Sequence, residues 1–90
     1  MGTSPIELTA QRGRVCLTLR CLPMGADLCI MLSGGDREHI GAVALGAPGT
    51  PTYGLALSGH REDELAQRIA SRVASRHGVA VCVEIGRAHV

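Results

Sequence analysis

The stretch Arg14-Val15-Cys16-Leu17-Thr18-Leu19-Arg20-Cys21-Leu22-Pro23-Met24-Gly25-Ala26-Asp27-Leu28-Cys29-Ile30-Met31-Leu32-Ser33 decides the fold. Apolar residues return at every second position in its first half, so Val15, Leu17, Leu19 and Cys21 share one face of a strand. Cys16, Thr18 and Arg20 take the other, the pattern of a sheet with one side buried. Pro23-Met24-Gly25-Ala26 reads as a turn, and Asp27 to Ser33 returns with Leu28, Ile30 and Leu32 on the core face. Two strands this close predict an antiparallel hairpin.

Working outward, Ile6 to Thr9 forms a short extended lead before Gly13. After the Gly34-Gly35-Asp36-Arg37-Glu38 loop, His39 to Leu45 reads as a third strand, kept flat by Gly41 and Ala42, where a neighbour can approach the backbone closely. A Pro- and Gly-rich loop, Gly46 to Pro51, leads to a fourth strand over Thr52 to Leu57. Arg61 to His77 has the helical period, with Leu65, Ile69 and Val73 as its apolar stripe, expected to pack on the sheet. Glu62, Asp63 and Glu64 complement the helix dipole at its start, and Arg72, Arg76 and His77 do so at its end. Gly78 supplies the stop. Val79 to Ile85 is an almost unbroken apolar run, as expected of a central strand covered on both faces. The expected fold class is α+β: an antiparallel meander of about four strands, one amphipathic helix and a further strand, in a single domain spanning residues 1–90.

Composition narrows the function. The 46% apolar content includes one Tyr and no Phe or Trp, so small and branched side chains fill the core. Such a core buries less area per residue, and self-association as a homodimer is expected to add to its stability. The net charge is +1, and every one of the nine cations is Arg. With neither a basic excess nor stacking aromatics beyond Tyr53, nucleic-acid binding is set aside. No run reaches the roughly 18 apolar residues of a membrane span, and Met1 to Pro5 lacks a signal-peptide pattern; no membrane association and a cytoplasmic location are expected.

The four cysteines, Cys16, Cys21, Cys29 and Cys82, contain no C-x-x-C pair and lie in apolar strand-like runs. They read as buried reduced thiols rather than metal ligands. His39, His60, His77 and His89 do not form a metal signature either. His77 next to Gly78 is accounted for by the helix dipole. His39 and His60 open elements that can meet at one end of the sheet, where Arg61 and the first N–H groups of the helix would suit an anion. Against this, His60 serves equally as a substitute N-cap, Arg61 as the partner of a neighbouring acid and His39 as a polar strand-starter. No nucleophile with a matched base can be assembled, so no catalytic residue is assigned.

The order of motifs nevertheless has a counterpart. Gly25-Ala26-Asp27-Leu28, Ser33-Gly34-Gly35, His39-Ile40-Gly41-Ala42-Val43-Ala44, Gly59-His60-Arg61-Glu62-Asp63 and Val81-Cys82-Val83 before Gly86 and His89-Val90 together resemble the LpdD-like prenylated-flavin chaperone family. That family is named for an accessory protein encoded beside gallate decarboxylase, a UbiD-type enzyme that uses prenylated FMN. The resemblance implies a fold similar to the proteasome-assembly chaperones and a non-catalytic, chaperone-like role in binding and assisting such a decarboxylase. It implies no cofactor bound by the chain itself, only an indirect link to prenylated FMN. His39, Gly41, His60, Arg61 and Glu62 are the motif positions expected to meet a ligand or partner. Two departures stand out: Arg87-Ala88 replaces a Gly-Ile-His pattern before His89, and the sequence stops at Val90 where family members continue with a further helix. Two other readings remain open: a small-molecule, flavin or anion site, or small isomerase, using His39, His60 and Arg61; and a bare oligomerisation module.

Overall fold

The structure is a computed structural model, and it describes residues 5–34, 40–57 and 62–87. Among the described residues six strands and one helix follow in chain order: β1 (Ile6–Arg12), β2 (Val15–Met24), β3 (Asp27–Gly34), β4 (Ala42–Gly46), β5 (Tyr53–Ala56), α1 (Asp63–His77) and β6 (Val81–Arg87). They make one sheet in the order β1-β2-β3-β6-β4-β5 with α1 on one face. A thickness of 18 Å fits those two layers.

The hairpins follow from the turn chemistry. Gly13 and Gly25 each take the first position of a two-residue turn, with φ of 62° and 63°. That is where a type II′ hairpin requires a left-handed residue, and it fixes Arg12 opposite Val15 and Met24 opposite Asp27. Val15 to Cys21 and Leu28 to Leu32 alternate as the sequence predicts, and Leu17, Leu19, Cys21, Ile30 and Leu32 share the helix-side face. The short lead is longer than expected: it is a full antiparallel edge strand, β1.

The contiguous meander needs correction. β3 and β4 are not neighbours, because β6 is inserted between them, parallel to β3 and antiparallel to β4. The sheet is therefore mixed, with three antiparallel strands on one side of β6 and the β4–β5 hairpin on the other. Hydrophobicity explains the placement, since Val81 and Val83 are fully buried and Ile85 nearly so. A strand this apolar gains most at the centre of the sheet. Its cover is one-sided, however: Cys82 and Glu84 point to the face opposite α1 and are only half-buried. Asp27 fixes the entry to β6 by accepting a hydrogen bond from the Ala80 N–H at 3.0 Å.

The helix also packs differently from its most apolar stripe. Ala66, Ala70 and Ala74 lie on the sheet, while Leu65 remains 45% exposed and Ile69 and Val73 flank the core. Small residues below explain the choice. A Cβ built on Gly46 would come within 3.0 Å of the Ala70 backbone, and one on Gly54 would run into the Gln67 side chain. The sheet surface under α1 is flat, so the alanine row brings the two layers closest. Close approach of α1 to the sheet is seen at Gly46 and Gly54. Gly78, with φ of 65°, ends the helix and donates its N–H to the Ala74 carbonyl at 2.8 Å.

Candidate interaction surfaces

Strand alternation places the second side chain of each pair on the face that α1 leaves open. On β4 and β5, Ala42, Ala44, Gly54 and Ala56 turn toward the helix, so Val43, Leu45, Tyr53 and Leu55 turn away from it. Leu45 is 56% exposed, and Tyr53 and Leu55 are each 68% exposed. With Cys82 they line a shallow apolar depression on the helix-free face. The register extends it into one row across five strands: Leu22, Cys29, Cys82, Leu45 and Tyr53. Toward β1 the same face becomes polar, with Glu7 and Arg20 in an exposed ion pair at 2.8 Å.

A second apolar surface lies on the helix side. Among the described residues α1 lies over β4, β5 and β6 and leaves β1, β2 and β3 without a helix. Ile6 and Leu8 stay exposed there, and Leu65 overhangs a recess shared with Leu17, Leu32, Ile85 and Glu62. The floor of β1 to β3 and the Leu65, Ile69, Val73 flank form a trough with two apolar sides. Contiguous apolar surface of this kind marks a place for another molecule.

Of the five motif positions singled out in the sequence, two are described. Gly41 is buried and donates its N–H to the Ile85 carbonyl at 3.0 Å, while its own carbonyl accepts from Leu57 N–H at 2.8 Å. Glu62 is the residue before α1 and lines the recess beside Ile85. Both therefore stand at the same end of β6. His39, His60 and Arg61 lie outside the described residues.

The cysteines are less buried than the sequence implies. Cys16 is exposed and Cys21, Cys29 and Cys82 are half-buried, because β1 and β2 have no helix above them and the opposite face has no second layer. Burial and the neighbouring Cys82 thiol hold the Cys29 pKa above its ordinary 9.0. No group of three or more His, Cys, Asp or Glu capable of holding a metal occurs among the described residues. Nor is any of their helices long and apolar enough to cross a membrane. The signal that sequence reasoning missed was on β5, where Gly54 and Ala56 alternate with Tyr53 and Leu55. Small residues faced the helix and large ones faced out.

The fold has a solved counterpart. A crystal structure of a chaperone complex for yeast 20S proteasome assembly superposes with a TM-score of 0.67 at 14% identity, over 93% of this chain and 75% of that one. At that identity the likeness is one of fold. No curated protein matches the chain in sequence. A family model does, over residues 11–90, and it is that of the prenylated flavin chaperone LpdD-like domain. With nearly the whole sequence matched, the chain belongs to the LpdD-like prenylated flavin chaperone family.

Proposed function

We propose that this chain is a non-catalytic accessory protein that acts in the cytoplasm as a homodimer and assists a UbiD-type, prenylated-FMN-dependent aromatic acid decarboxylase. The observation that carries the reading is the pair of apolar surfaces on a domain of the prenylated flavin chaperone LpdD-like family. The helix-free face is flat, and a second sheet packs on such a face at about 10 Å. It is assigned to the second copy, which would cover Leu45, Tyr53 and Leu55. The trough beside α1, with Glu62 lining its recess and Gly41 near the same end of β6, is left for the decarboxylase, and His39, His60 and Arg61 are proposed as further contacts.

Co-expression tests the proposal. A UbiD-type decarboxylase is produced with a flavin prenyltransferase, with and without this protein, and prenylated-FMN occupancy is read from absorbance and intact mass. Higher occupancy with the protein present, and its loss on Leu45→Glu or Leu65→Glu, is the expected result. Equal occupancy in all samples would sink the accessory role, and self-association without any such effect would leave a bare oligomerisation module.

A further inference from the structure

Cys29 on β3 and Cys82 on β6 are direct register partners in the parallel pair at the middle of the sheet. Both side chains point to the helix-free face, Cys21 lies on the opposite one, and Cys16 stands near the far end of β2. Cys82 is close enough to Cys29 to add to the rise in its pKa. Neighbouring strands lie about 4.8 Å apart, inside the roughly 4.4–6.8 Å Cα separation that a disulfide spans. We propose that Cys29 and Cys82 form a vicinal dithiol that exchanges with low-molecular-weight disulfides and closes to an intramolecular Cys29–Cys82 disulfide.

The order of attack follows from access. Cys82 lines the open depression and Cys29 does not, so the Cys82 thiolate attacks one sulfur of the incoming disulfide and expels the first thiol. Cys29 then attacks the Cys82 sulfur of the mixed disulfide and expels the second. Two protein thiols and one small disulfide become one protein disulfide and two small thiols. Both protons pass to the departing thiols, and the incoming disulfide is the oxidant. Burial disfavours the Cys29 thiolate, so the closing step should quicken as pH rises. Closure draws the two Cβ atoms nearer than the strand spacing, which leaves the bond open to reduction in a thiol-rich compartment. Leu22 and Leu45 flank the pair in the same row. If that face binds a second copy, as proposed above, the thiols are reachable only in the free protomer.

Oxidised glutathione is the probe. The native protein is incubated with it, quenched with an alkylating agent and followed by intact mass and peptide mapping. Expected are a transient glutathione adduct on Cys82, then a product about 2 Da lighter than the reduced chain with a Cys29–Cys82 linkage. Cys29→Ser should stop at the adduct. The proposal is overturned by a stable adduct on the native protein, by independent capping of the two thiols, by closure through Cys16 or Cys21, or by no reaction. Repeating the reaction across protein concentrations separates the two readings. A rate that falls with concentration supports shielding by a second copy, whereas a constant rate removes the shielding and leaves the linkage assignment standing on its own map.

Discussion

Gly46 lies so close beneath Ala70 that a Cβ on the glycine would stand 3.0 Å from both the carbonyl carbon and the carbonyl oxygen of the helix. Backbone cannot swing aside as a side chain can. Gly46→Ala should therefore destabilise the domain by about 1–3 kcal/mol, as overpacking does. Gly54→Ala meets only the flexible Gln67 side chain and should cost less than about 1 kcal/mol. Urea midpoints of the two variants provide the comparison, and equal losses would mean that the helix is not seated on Gly46.

Leu45 and Leu55 tell the opposite story, for both are mostly exposed on the helix-free face. Leu45→Glu and Leu55→Glu should change the stability of the isolated protomer by no more than about 0.5 kcal/mol. Their effect should appear in association instead, as a lower mass by light scattering at matched concentration. A protomer that unfolds on either substitution would show that this face is part of the core.

Gly78 ends α1 with a φ of 65°, a region costly to any residue with a Cβ. Gly78→Ala should lower stability by about 1–2 kcal/mol. Since this residue stands away from both apolar surfaces, partner binding measured on the folded fraction should not change.

Alkaline stability should depend on Cys29. Its folded-state pKa is raised from 9.0 by burial and by Cys82. Below 9.0 both folded and unfolded chains hold the proton, and the group adds no slope. Above it the unfolded chain releases the proton first, so stability falls as pH rises toward the folded value. The urea midpoint of the native protein should drop more steeply above pH 9 than that of Cys29→Ala, under reducing conditions. Parallel curves would show that the thiol is not shielded.

How far these features could be read in advance depended on whether they were local. Leu17, Leu19 and Cys21 alternate with Thr18 and Arg20, and Gly25 stands at the only turn that could join them to Leu28 and Ile30. Pattern and turn agree, so the β2–β3 hairpin was legible from the chain alone. The position of β6 was not, since the pairings Cys29↔Cys82 and Leu45↔Cys82 join residues far apart in sequence. Any order that buried Val81, Val83 and Ile85 satisfied the same pattern. The helix was misread for a different reason. Leu65, Ile69 and Val73 carry more hydrophobicity than Ala66, Ala70 and Ala74, but contact with Gly46 and Gly54 is decided by size, and the smaller row fits. Gly41 and Glu62 come to one end of β6, a closeness that depends on where that strand is placed.

The insertion of β6 also orders events at the ribosome. A nascent chain presents β1 to β3 and the β4–β5 hairpin before the strand that joins them has been made. During that interval the inner edges of β3 and β4 carry open backbone donors and acceptors beside Ile30 and Ala44, a template for pairing with the wrong chain. Synthesis of the last strand closes the seam, so a pause before Val81 should favour aggregation far more than a pause before Asp63.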